Sequence, residues 1–158
     1  MSVVKVNILI EERLKKSITR TWLEMLAKKV LLAQNIDAKA ELDLFIVGQD
    51  RIRQLNLSYL GEDRPTDVLS FSMLPGQANS APFVLPPDGK TRLGEVIISY
   101  PQAVIQAQEH QHSVKREIAI LLIHGVLHLL GYDHDEPERE QKMRARESEI
   151  LGMIGGLD

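Results

Sequence analysis

The chain has no cysteine among its 158 residues. That excludes a disulfide framework and every thiolate metal site, leaving imidazole and carboxylate as the strong ligands available to an ion. Aromatic residues make up only 4%, and no strand carries the run of aromatics on which RRM-type modules stack RNA bases. Long hydrophobic runs are missing too. The longest, Ile118 to Leu130, is thirteen residues and includes two histidines, too short and too polar to span a membrane. Neither sign of charge dominates: 19 Lys and Arg against 22 Asp and Glu leave a net charge of −3. That argues against a whole-molecule electrostatic grip on nucleic acid, while a local basic face can still bind one. The stretch MSVVKVNILIEERLKK shows no basic leader ahead of a long apolar run and no small-residue cleavage signal. A cytoplasmic, non-membrane protein is the expectation. With 44% apolar and 26% charged residues, the composition is that of one ordinary globular domain over residues 1–158.

Val4, Val6, Ile8 and Ile10 alternate with Lys5, Asn7 and Leu9, which predicts a first strand. Leu14, Ile18, Trp22, Met25, Leu26 and Val30 recur at helical spacing up to about Gln34, with lysines and Arg20 largely on the other face. Ala40 to Val47 reads as a second strand. Asp50 is a candidate cap for a short helix reaching Leu57 or Tyr59, with Ile52, Leu55 and Tyr59 facing inward. Thr66 to Phe71 reads as a third strand and Leu93 to Ser99 as a fourth. Between them, Leu74 to Arg92 is rich in proline and glycine and is expected to be a mobile loop. Pro101 opens a helix over Ala103 to Gln108, Ser113 caps the apolar helix Ile118 to Leu130, and Pro137 starts a last helix through Leu151. The tail 152–158 is expected to fray. The order βαβαββααα without repeats predicts an α+β domain: a four-stranded mixed sheet packed against helices, with the apolar histidine helix at the centre.

Chemistry concentrates in His124-Gly-Val-Leu-His128-Leu-Leu-Gly131-Tyr-Asp-His134. Three of the five histidines fall within these eleven residues. Imidazoles at i and i+4 lie one turn apart on one helix face, where their nitrogens can converge on an ion. Gly131 can end the helix in the left-handed conformation, and the chain can then return His134 as a third ligand. Three protein nitrogens plus a water make an open zinc site of the kind that does chemistry. Two hydrogen-bonded core histidines would look similar, but the glycine and third histidine at the right distance favour a metal. Asp133 and Asp135 flank His134 and are candidates to orient it, Asp135 being the more typical exposed turn residue. His110 and His112 sit in a polar connection and are expected to be solvated, without a role.

The spacing superficially matches the peptidase pattern H-E-x-x-H-x-x-G-x-x-H, in which the glutamate is the general base. Here that position is Gly125, so peptidase chemistry lacks its proton acceptor. The histidine run, together with PTDVLSF (Pro65 to Phe71) and LGEVIIS (Leu93 to Ser99), resembles the YbeY family of bacterial endoribonucleases. The resemblance covers roughly residues 40 to 150. It implies an α+β fold with one Zn²⁺ per chain held by His124, His128 and His134 at the end of the central helix. It also implies a metal-dependent endoribonuclease selective for single strands, acting in maturation of the 16S rRNA 3′ end and in ribosome quality control. RNA and the ribosome or its proteins would be the partners. The family pattern usually carries an arginine where this chain has Leu60, a residue thought to assist at the phosphate. Arg64, four residues on, could replace it only if the loop brings it round.

A zinc-bound water, with its pKa lowered toward about 7, would serve as nucleophile or general base. Glu95 and Asp67 are the carboxylates expected nearest the cleft, though neither is assigned a catalytic role. The clusters Lys15/Lys16/Arg20, Arg51/Arg53 and Lys142/Arg144/Arg146 are candidate phosphate contacts, and equally the solvated faces of amphipathic helices. Two other readings stay open: a zinc hydrolase of a non-nucleic substrate, and a non-enzymatic ribosome-assembly factor with a structural metal.

Overall fold

The computed structural model describes residues 4–36, 39–74, 91–155 and 157. Most of the expected loop after Leu74 lies outside the described residues. Among the described residues four strands, β1 (Lys5–Ile10), β2 (Ala40–Val47), β3 (Val68–Ser72) and β4 (Thr91–Ser99), form one sheet in the order β1-β2-β4-β3. β1, β2 and β4 run parallel, and β3 is an antiparallel edge strand on β4. The sheet is mixed, as expected. Where Glu41 and Leu42 face Arg92 and Gly94, Leu93 is the extra residue of a bulge. Gly94 has φ of 136°, and a Cβ there would meet the Phe71 carbonyl oxygen at 2.2 Å. Only glycine fits that approach.

Among the described residues there are five α-helices, α1 (Arg20–Ala33), α2 (Gln49–Leu60), α3 (Tyr100–Glu109), α4 (Val114–Leu129) and α5 (Pro137–Ile154); the first four pack on the sheet, and α5 packs on α4 and α1. No helix among the described residues is long and apolar enough to cross a membrane. α1 starts later than its apolar spacing suggests. Leu14 belongs to a separate 3-10 turn over Glu12–Leu14, and Thr19 caps α1 by accepting a hydrogen bond from the Trp22 amide. With that start, Leu23, Leu26, Ala27, Val30 and Leu31 face inward and Met25 turns outward. Gly48, rather than Asp50, is the N-cap of α2, and its amide donates to Glu11 Oε2 at 2.7 Å. Tyr59 stays exposed and leans on Phe71, the ring centroids 5.2 Å apart. α5 continues three residues past the expected end. Ile154 packs on the core, and buried Leu157 accepts a hydrogen bond from Ser113 Oγ, so the tail is tied down there.

Strand parity divides the sheet into two faces. Leu42, Leu44, Ile46, Val96 and Ile98 join the large core under α4, α1 and α5. Val47, Leu69 and Ile97 face the other way and pack around Ile52 of α2. Ten of the sixteen residues of α4 are buried, which puts it at the centre. It approaches the sheet closely because position 125 is glycine: a Cβ there would lie 2.7 Å from Val96 Cγ1 and 3.1 Å from Ser70 Oγ.

Candidate metal centre and cleft

α4 ends where His128 is needed. Gly131 adopts φ of 101°, its amide donates to the His128 carbonyl at 3.1 Å, and the Tyr132 amide donates to the Leu127 carbonyl at 3.0 Å. These two bonds are those of a Schellman motif, which satisfies the last carbonyls of the helix and reverses the chain. β3 holds the same end from the sheet side. Ser70 Oγ donates to the Gly125 carbonyl at 3.2 Å, and Ser72 Oγ to the Leu129 carbonyl at 3.0 Å. Mid-helix glycine, strand serines and terminal turn together fix the two helical histidines and return the third.

The structure brings His124, His128 and His134 together. One ring nitrogen of each lies within 4.8 Å of the others. The ring centroids of His124 and His128 are 4.8 Å apart, and those of His128 and His134 are 5.2 Å apart. His124 Nδ1 sits 2.9 Å from Glu147 Oε2 on α5. An ionised carboxylate only accepts, so Nδ1 carries the proton and the Nε2 lone pair is left for a ligand. Burial, reinforced by the neighbouring His124 and His134, holds the His128 pKa below its ordinary value. That favours neutral imidazole, the form that ligates. The donor set therefore fits a divalent ion: three imidazoles, one kept neutral by desolvation and one oriented by a carboxylate behind it.

The sequence reading misses Glu147, which lies 23 residues from His124 on a charge-rich helix where it looks like any surface glutamate. Of the two flanking aspartates, Asp133 is the closer. Its Oδ1 accepts from the His134 amide at 2.7 Å and lies 3.8 Å from His134 Nδ1. Asp135 pairs instead with Arg139 at 3.6 Å.

The histidines open onto a cleft of about 520 Å³ whose opposite wall includes Leu60, Thr66, Asp67 and Ser70. Asp67 is firmly held there. Its Oδ1 accepts from the Val68 amide at 2.7 Å, its Oδ2 from Gln106 Nε2 at 3.3 Å, and its carbonyl from the Ser99 amide at 2.9 Å. Glu95 lies elsewhere. Its register partners are Asp43 and Phe71, on the sheet face opposite Val96 and α4. The desolvated position and the Asp43 carboxylate raise its pKa. Arg64 does not enter the cleft: it is exposed and bonds Glu62 at 3.0 Å.

Each basic cluster has at least one member paired with an acid. Lys15 pairs with Glu12, Arg53 with Asp63 and Arg144 with Glu140. Arg146 reaches across to Gln34 and to the Ala33 carbonyl, at 2.6 Å, tying α5 to the end of α1. Lys142 remains beside the site, lining a shallow pocket with Gly131, Tyr132 and Asp133.

Comparison with known proteins decides the family. The model described as Endoribonuclease YbeY matches residues 5–155. The chain belongs to the YbeY family. A YbeY relative from Dehalococcoides mccartyi strain 195, named an endoribonuclease, is 49% identical over 91% of this chain and 86% of its own. One from Geobacillus thermodenitrificans is 42% identical over 84% of this chain and 85% of its own. The solution structure of a Thermotoga maritima protein shares the fold, with a TM-score of 0.63 and 25% identity over 94% of this chain and 88% of that one.

Proposed function

We propose that the chain is a zinc-dependent endoribonuclease that cleaves single-stranded RNA in the cytoplasm, acting in 16S rRNA 3′-end maturation and ribosome quality control. The observation that carries this reading is the convergence of His124, His128 and His134 on one wall of a cleft, with Glu147 behind His124. Membership in a family of endoribonucleases supplies RNA as the substrate class. His124, His128 and His134 would hold one Zn²⁺ per chain, which would supply a Lewis acid for a phosphoryl oxygen and lower the pKa of a water toward about 7.

The chain's own groups complete the site. Glu147 fixes the His124 tautomer. Asp67 and Asp133 are the carboxylates that line the cleft, and either would be the group to take a proton from an attacking hydroxyl. Lys142, beside the Gly131 turn, borders the approach and suits a phosphate chain. Leu60, 49% exposed, lines the cleft where the family usually has arginine. Phosphate stabilisation at that wall is therefore weaker here, and binding to the ribosome would compensate.

The test compares wild type with His124→Ala on defined single-stranded and duplex RNA, together with bound zinc. Cleavage of single strands that disappears in the variant along with one equivalent of zinc is expected. RNA binding without cleavage, equal in both proteins, would mean an assembly factor. Turnover of ester or peptide alone would mean a non-nucleic hydrolase.

A further inference from the structure

We propose a second divalent-metal site at the junction of α3 and α4, built from His110, His112 and Glu117. The side chain of Glu117 is only 2% exposed, yet Oε1 takes contacts from two imidazoles: His110 Nδ1 at 3.0 Å and His112 Nε2 at 2.7 Å. Ligand atoms of all three residues lie within 4.8 Å of one another. His110 is half-exposed, as expected of a solvated residue, but His112 is only 18% exposed and both rings contact the carboxylate.

The backbone presets the arrangement. His110 caps α3, Gln111 takes a left-handed φ of 56°, and the His112 amide donates to the Ala107 carbonyl at 3.1 Å. Ser113 then caps α4 by accepting from the Arg116 amide, and the Glu117 amide returns to the Ser113 carbonyl. A tight turn between two capped helices thus delivers all three donors from an eight-residue segment. Little ordering remains for an ion to impose.

Charge points to a cation. A buried carboxylate needs a positive partner, and among the described residues the ion-pair partners of Glu117 are these two imidazoles. A proton shared with imidazole is one solution, and a divalent ion is another. Two imidazoles and one carboxylate suit first-row transition ions such as Zn²⁺, and neither ligand type needs a reducing compartment. Half-exposed His110 gives an ion entry and leaves coordination positions to water. On binding, each neutral ring moves the proton from its coordinating nitrogen to its other nitrogen, and an imidazolium releases one to solvent. Glu117 lies seven residues before His124, roughly 10 Å along the helix, so the two sites do not share ligands. An ion here would clamp α3 to the first turn of the helix that carries His124 and His128.

The experiment uses the full chain, stripped with chelator, reloaded with zinc and passed through gel filtration before metal analysis. Wild type is expected to retain two equivalents, and His110→Ala, His112→Ala and His124→Ala one each. The second equivalent should raise the melting temperature of wild type and not that of His110→Ala. His110→Ala is the informative variant, because its half-exposed ring can be removed without opening the core, and it should still cleave RNA. One equivalent that survives His110→Ala and vanishes in His124→Ala overturns this site and leaves the proposed function standing. One equivalent that vanishes in His110→Ala and survives His124→Ala supports this site and removes the other. No retained zinc overturns both.

Discussion

Glu147 shows how one distant side chain sets the chemistry of another. By accepting from His124 Nδ1 at 2.9 Å it selects the tautomer and the ring direction. Glu147→Gln keeps the shape and can still bond, but loses the charge that strengthens the imidazole as a ligand. Zinc affinity is expected to fall about 10- to 100-fold with the melting temperature of the metal-free protein little changed, as read by competition with a chromophoric chelator. An unchanged affinity would show that the carboxylate only packs there. Leu60 poses the complementary question, what happens when a charge is supplied. Leu60→Arg places a guanidinium on the cleft wall, and single-stranded RNA should bind more tightly at low salt. The slope of log affinity against log salt should steepen by about one phosphate contact. Equal slopes would place the RNA backbone elsewhere. These two residues also mark the limits of sequence reading at this scale. The i, i+4 histidines are legible because helical geometry is local, and Leu60 because a motif can be compared position by position. Glu147 is not, because nothing local says which glutamate of α5 turns inward.

Elements, not single residues, decide where the ligands stand. α4 is one turn of chemistry on a long apolar rod, and β3 fastens that rod through Ser70 and Ser72. Ser72 is buried, donates to the Leu129 carbonyl and accepts from the Leu74 amide. Ser72→Ala would leave both backbone groups short of a partner, a loss of about 1–3 kcal/mol. Calorimetry should show a melting temperature lower by several degrees, with zinc affinity reduced because His128 sits beside the loosened turn. The strand sequence VLSFS gives no warning of this. Its serines read as the outward half of an alternating pattern, and only the packing of α4 on β3 shows otherwise. Helix starts were similarly hidden. The apolar spacing from Leu14 to Val30 suits one helix, but Thr19 capping the Trp22 amide resets the phase and puts Met25 outside. The opposite case is Gly125. Read as the missing glutamate of a peptidase motif, it proves to be the contact that lets α4 lie on Val96. A glutamate there would not fit, so the fold itself excludes that chemistry.

At the scale of the whole molecule, the sheet separates function from burden. One face carries the core, α4 and the cleft. On the other, α2 covers only part, and a polar row crosses three strands in register: Asn7, Asp43 and Glu95. Asn7 Nδ2 donates to Asp43 at 2.8 Å and to Glu41, while Glu95 is left beside Asp43 with its pKa raised, chiefly by burial and then by that charge. The sequence could not place Glu95, because strand parity is defined only once α4 has chosen a face. The stability consequence has a definite sign. A carboxyl whose folded pKa is raised binds its proton more readily in the native state, so the fold is favoured below its ordinary value near 4.5. That advantage is lost as pH rises through the raised folded pKa. Glu95→Gln removes the titration. At pH 4 variant and wild type should melt alike, whereas at pH 7 the variant should melt roughly 1–2 °C higher, a modest gain because the group is partly solvated. Melting curves from pH 4 to pH 8 check this, with RNA cleavage unchanged because Glu95 faces away from the cleft. A variant that melts lower at pH 7, or that cuts RNA more slowly, would return Glu95 to the active side of the sheet.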